Sequence, residues 1–216
     1  MVRTALSVPP ELARRRNRVI RPKDLADRYA HPRGEVARLT RASVLHRLAT
    51  GYYALPPLNR LGDPTWIPDL NAVALGIGQA DYGVDAVALT GVSAARVHGA
   101  IPRSVAVAVL AAPKQRPPLS IGAAKVVFTR RDVARLDVER TETELGAGWV
   151  TTVEQTVLDL AARPELGGLD AADVSEAIRA LIPRADGPIL ESLAKVQRRP
   201  RALAVAQALA ERASGA

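Results

Sequence analysis

Arg33, Arg38 and Arg41 fall within one predicted helix, His31 to Ala42, and Arg38 and Arg41, three apart, share a face of it. A guanidinium fork matches the O6 and N7 acceptors of guanine, at about 1–3 kcal/mol of base discrimination. Lys23, Arg28, Arg47 and the cluster Arg14, Arg15, Arg16 and Arg18 suit phosphates, which position a protein on a duplex without reading sequence. Residues 1–60 hold thirteen Lys and Arg against four acids, a net +9; the other 156 residues hold seventeen basic and eighteen acidic side chains, a net −1. The +8 of the whole chain therefore sits in its first quarter, and a polyanion partner is expected for that segment alone. Arginines scattered by coding bias would not gather at one end.

Catalytic readings fail on spacing. Ser93 and His98 lie five apart, roughly 140° around a helix, so they cannot face one another as nucleophile and base. His98 suits a helix C-terminus, where the dipole favours a cation. Glu142 and Glu144 share a strand face, but their run, Arg140-Thr141-Glu142-Thr143-Glu144, reads as a solvated edge. Acid–base work needs environments that drive two pKa values apart. The three histidines, His31, His46 and His98, form no HxxxH or HxH pair, so no metal site is expected. With no cysteine, disulfides, thiolate zinc sites and cysteine nucleophiles are excluded. Gly76-Ile77-Gly78-Gln79-Ala80-Asp81 begins like a dinucleotide fingerprint, yet Asp81 stands where the third glycine belongs and no clear strand precedes it. It reads as a helix end. No enzymatic activity and no cofactor are expected.

The elements that must position the arginines can be read from pattern. A short helix is expected over 9–18, a second after Pro22 with Leu25 and Tyr29 on one face, and a third over 31–42 with Val36, Ala37 and Leu39 inward. Thr50-Gly51 between β-prone runs signals a hairpin over 44–55, with one of Tyr52 and Tyr53 in the core and the other on the surface. A continuous helix from 33 to 49 is the rival reading. Helices and hairpin together make a winged helix-turn-helix over 1–60, whose last helix enters the major groove. Four prolines make 56–68 a stiff connector, neither helical nor sheet interior.

Beyond it, 69–216 reads as a small α/β domain with a helical tail, so the fold class is α+β. Leu70, Val73, Ala74 and Ile77 have helical spacing. Thr90 caps a helix that stops at Gly99. Residues 104–110 form a central strand buried on both faces, 126–128 another, and 137–145 an edge. Thr151 with Glu154, or Thr152 with Gln155, offers a capping box for a helix ending before Pro164. Helices follow over 171–182 behind Asp170, over 188–197 behind Asp186 with Pro188 in its first turn, and over 201–213. No run resembles a signal peptide or membrane span, and a cytoplasmic protein is expected.

Three stretches resemble AbiEi-type antitoxins, from toxin–antitoxin systems first met in phage abortive infection. Val44 to Leu55 is similar to that family's hairpin with its Gly-x-Tyr-Ala pattern, here Gly51-Tyr52-Tyr53-Ala54. Ala88 to Gly99 is similar to the helix opening its second domain, and Val150 to Ala161 to its Thr-x-x-x-Thr-x-x-Asp-Leu helix. The likeness spans about 20–163 and leaves out the helical tail. It implies a repressor that binds inverted repeats in its own promoter and counteracts a nucleotidyltransferase-type toxin, directly or indirectly. The chain lacks the Gly-Ser-x-Asp-x-Asp pattern of such a toxin. Two other classes stand beside this one: a transcription regulator with a ligand-sensing or protein-binding second domain, and an enzyme anchored on nucleic acid by its basic part.

Overall fold

Proline sets where the first helices begin. In the computed structural model, which describes residues 8–102 and 105–214, Pro10 opens α1 (Pro10–Ala13), Pro22 opens a 3₁₀ turn (Pro22–Leu25) and Pro32 opens α2 (Pro32–Arg41). The helix expected over 9–18 is thus cut to four residues. Past it the backbone takes distant partners: Asn17 donates its side-chain amide to the Gly76 carbonyl, and the Arg18 N–H donates to the Leu145 carbonyl. Residues 19–20 become a strand, β1 (Val19–Ile20), that no sequence pattern announces. The second expected helix is only the 3₁₀ turn, though Leu25 and Tyr29 do pack into one cluster.

Helix α2 buries Val36 and Leu39, whereas Ala37, expected inward, is exposed. The buried stripe is too narrow to include it. Ser43 then adopts a left-handed φ of 55°, and the Val44 N–H reaches back to the Leu39 carbonyl at 2.9 Å. This closes the helix and excludes a continuous helix from 33 to 49. The hairpin follows as β2 (His46–Ala49) and β3 (Tyr52–Ala54), turning through Gly51 at φ 85°. β1 adds to β3, giving the order β1-β3-β2. The tyrosines divide differently from expectation: both are half-buried, Tyr53 against the cluster around Leu25 and Val36, Tyr52 against the larger core beyond residue 69.

The connector carries a 3₁₀ turn (Leu58–Arg60), a local exception to its expected lack of helix, and it is pinned. Trp66 is buried, its indole N–H donates to Glu144 at 3.1 Å, and its ring meets His46 edge-on at 5.1 Å. His46 Nε2 is buried with no hydrogen-bond partner among the described residues, and burial lowers the imidazole pKa against the pull of Asp63. A folded-state pKa below the unfolded one gives stability that is present above about pH 6.5 and is lost as pH falls through the folded value. The unfolding midpoint is therefore expected to drop between pH 7 and pH 5, and to drop less in His46→Gln; equal drops in the two proteins would contradict this.

α3 (Leu70–Tyr82) begins behind Asp69, whose carboxylate accepts the Asn71 N–H at 2.8 Å. Gly76 and Gly78 do not end this helix, as their sequence suggests, but sit inside it. A Cβ on Gly76 would lie 2.4 Å from Val19, and one on Gly78 2.3 Å from Leu110. Close approach, and not termination, explains both glycines. Across Gly76, Val19 and Ala54 of the N-terminal part enter the same core as Leu75 and Ile77.

The larger sheet comprises β4 (Ala88–Leu89), β5 (Val107–Ala112), β6 (Leu119–Ile121), β7 (Ala124–Arg130), β8 (Val138–Thr143) and β9 (Gly146–Thr151), in the order β6-β7-β5-β4-β9-β8. The β5–β7 and β4–β9 pairs are parallel and the rest antiparallel. β5 is interior, as its doubly apolar run requires; it starts at Val107, and residue 104, its expected start, lies outside the described residues. Ala108, Leu110 and Ala112 face the core under α3, while Val107 and Val109 face the second core. That second core is roofed by α4 (Val92–Val97), α5 (Val153–Ala162), α6 (Ala171–Leu181), α7 (Gly187–Val196) and α8 (Pro200–Ser214). Gly91, not Thr90, occupies the α4 N-cap, because the Thr90 hydroxyl is drawn to Asp159. Thr152 caps α5, Thr151 being the last residue of β9. Asp170 and Asp186 cap α6 and α7.

β9 passes beneath α3 with glycine at 148, where a Cβ would lie 2.3 Å from Leu75. Gly148→Ala is expected to lose about 1–3 kcal/mol by overpacking. At this chain length that corresponds to roughly 2–12 °C in melting temperature; an unchanged melting curve would contradict the close approach.

Candidate nucleic-acid interface

Between the start of α2 and the tip of the hairpin lies an open groove of about 980 Å³. Residues 30–34 line one side, Thr50 to Tyr53 the other, and Arg21, Pro22, Lys23 and Asp81 join them. The sequence folds this way because Pro32 starts α2 beside the 3₁₀ turn, while Gly51 turns the hairpin back towards it. Of the basic residues singled out in sequence, Lys23 and Arg33 line the groove and are exposed. Arg47 is exposed at its edge and donates Nη2 to the hydroxyl of Thr50 at 3.1 Å.

The others stand apart. Arg38 lays its fork on Glu35, at 2.9 and 2.6 Å, and the guanidinium holds the Glu35 carboxyl below the ordinary range. Arg41 closes α2, and Arg28, Arg14 and Arg16 are likewise exposed, but none of these lines the groove. Arg15 leans on Asp24 at 3.7 Å. Arg18, grouped with the phosphate binders by sequence, instead donates to the Leu55 and Pro56 carbonyls at 3.1 and 2.7 Å. It fastens the end of the hairpin.

Recessed in the groove is an ionic cluster that sequence reading missed. Asp81, in the last turn of α3, accepts from Arg21 at 2.8 Å, from Arg116 at 2.6 Å and from the Tyr52 hydroxyl at 2.7 Å. Arg21 is also clamped by Asp24, through Nε at 3.1 Å and Nη2 at 2.7 Å. Burial works against the Asp24 carboxylate, but Arg21 and Arg15 together hold it below its usual value. Burial raises the Tyr52 phenol, and its bond to Asp81 adds to that. The only sequence signal for this cluster is an acid standing where a glycine is expected.

The second part of the chain holds another charged cluster, around Asp159 on α5. Its carboxylate accepts from Arg131 and Arg199, each at 2.6 Å, from Gln155 at 3.0 Å and from Thr90. The cavity beside it is about 30 Å³, room for roughly two waters. Such a cluster staples elements together. Ser93 Oγ accepts the Val109 N–H at 2.8 Å, and His98 Nε2 donates to the Thr151 carbonyl at 2.7 Å. Both are committed to the scaffold: His98 is the C-cap of α4, at the helix C-terminus as its sequence suggests, and its ring serves a strand carbonyl. Glu144 lies in the β8–β9 turn, off the strand face of Glu142, where it accepts from Trp66 and from the Asp69 N–H at 2.6 Å. No helix of the described residues is long and apolar enough to cross a membrane. The chain matches no family model and no curated protein.

Proposed function

We propose that this chain is a winged helix-turn-helix DNA-binding antitoxin that represses its own promoter. Residues 1–60 are the DNA-binding unit in this reading, and 69–216 the unit that counteracts a nucleotidyltransferase-type toxin in the cytoplasm. The observation that carries the DNA-binding part is the groove: a helix N-terminal half bearing Arg33 faces a hairpin tip, with Lys23 between them. A helix beside a basic hairpin suits a duplex, the helix for base edges and the hairpin for the backbone. The confinement of excess positive charge to the same sixty residues supports it. The antitoxin role rests on the resemblance to AbiEi-type antitoxins.

Two experiments test the two parts. Binding to the duplex upstream of the chain's own gene is expected to weaken as salt rises, with a slope of about −0.9 per phosphate neutralised; a slope of zero would remove the DNA-binding reading. Expression of a neighbouring nucleotidyltransferase is expected to stop growth, and co-expression of this chain to restore it. Growth arrest that persists would remove the antitoxin reading and leave DNA binding standing.

A further inference from the structure

We propose that Asp81 is a specificity-determining residue of the groove: its carboxylate holds the Arg116 guanidinium against the protein and shares that of Arg21 with Asp24, so that neither is free for the DNA backbone. The inference rests on the DNA-binding reading above. Each Asp81 oxygen has its own cation, Arg21 on Oδ1 and Arg116 on Oδ2. Arg21 has no edge left for a phosphate, because Nε and Nη2 are spent on Asp24 and Nη1 on Asp81. The Arg116 guanidinium carbon stands over the Phe128 ring, 3.8 Å from its centroid, with Nη1 on Asp81. The cluster is recessed but not sealed; the side chains of Asp81, Arg21 and Arg116 keep 13%, 17% and 22% exposure.

Withholding these cations has a consequence for recognition. Phosphate contacts raise affinity for every sequence alike. A free Arg116 guanidinium, next to the groove-lining Tyr52, would strengthen binding to any duplex and dilute the contribution of base contacts. An acid lining the same groove also repels a phosphate that approaches too deeply. The backbone is thereby left to Lys23, Arg33 and Arg47 at the rim.

The test is a salt titration of full-length wild type, Asp81→Asn, Arg116→Ala and Arg33→Ala, each on a random-sequence duplex. Asp81→Asn frees Arg116, while Arg21 stays on Asp24, so its slope is expected to steepen by about 0.9, with tighter random-sequence binding. Arg116→Ala is expected to keep the wild-type slope, because that cation never reached the backbone, whereas Arg33→Ala flattens it. An Asp81→Asn slope that is unchanged or shallower would overturn the assignment. If Asp81→Asn fails to fold, as its melting curve would show, Arg116→Ala decides: a flattened slope there overturns the proposal. Wild type that binds no duplex in a salt-dependent way would overturn the DNA-binding reading beneath it.

Discussion

Replacing Lys23 and Arg33 together by alanine is expected to weaken duplex binding about a hundredfold, the largest effect of any pair among the basic residues. Both side chains line the groove, and a charge-assisted hydrogen bond contributes about 1.5–3 kcal/mol. At the low end of that range, fitting for exposed side chains, two such losses total about 3 kcal/mol, and at about 1.4 kcal/mol per decade they give the hundredfold. The salt dependence should flatten at the same time by about 1.8 log units per log unit, because two phosphates are no longer neutralised. Arg14→Ala with Arg16→Ala removes the same charge from outside the groove and is expected to cost far less. Arg38→Ala should fall between them, since its fork is already laid on Glu35 and must be released before it can meet a base. Equal losses from the two double variants would mean that net charge alone, and not the groove, binds DNA.

The second large effect belongs to stability. Asp159→Ala is expected to destabilise the fold by about 3 kcal/mol, because removing one partner of a buried ion pair leaves the others uncompensated. Arg131 and Arg199 both lean on this one carboxylate, and the Thr90 hydroxyl and Gln155 amide donate to it as well. The figure stands at the low end of the range for buried pairs, since the two arginines keep 16% and 24% of their side chains exposed. A melting temperature lower by roughly 6–12 °C is the corresponding readout. DNA affinity measured below the transition should stay near wild type, because the cluster joins β7 to α5 and the tail and is not part of the groove. A melting point unmoved by the change would show that the cluster contributes nothing to the scaffold.

What the sequence made legible follows from how local each signal is. The hairpin was readable because Thr50-Gly51 carries its own turn chemistry. The caps Asp170 and Asp186 were readable because each accepts an N–H within three residues. β1 was not, since two residues have no period and their partners, Ala54 and Tyr53, lie more than thirty positions away. β4 is two residues long and is hidden for the same reason. Gly76 and Gly78 misled because helix propensity sees a destabilised interior, whereas the fold uses the missing Cβ to admit Val19 and Leu110. The groove was half legible. Lys23 and Arg33 follow from charge density, but the acid that lines the groove with them comes from α3, sixty residues beyond Arg21, and nothing local ties the two.

The most direct measurement is a map of backbone amide chemical shifts in the full chain as an upstream duplex is added. The largest changes should fall on residues 23, 31–36 and 47–53, on both sides of the groove, and fade as salt is raised. Changes centred instead on Arg131 and Arg199, with α2 and the hairpin tip unmoved, would place the duplex on the charged cluster around Asp159 and contradict the account.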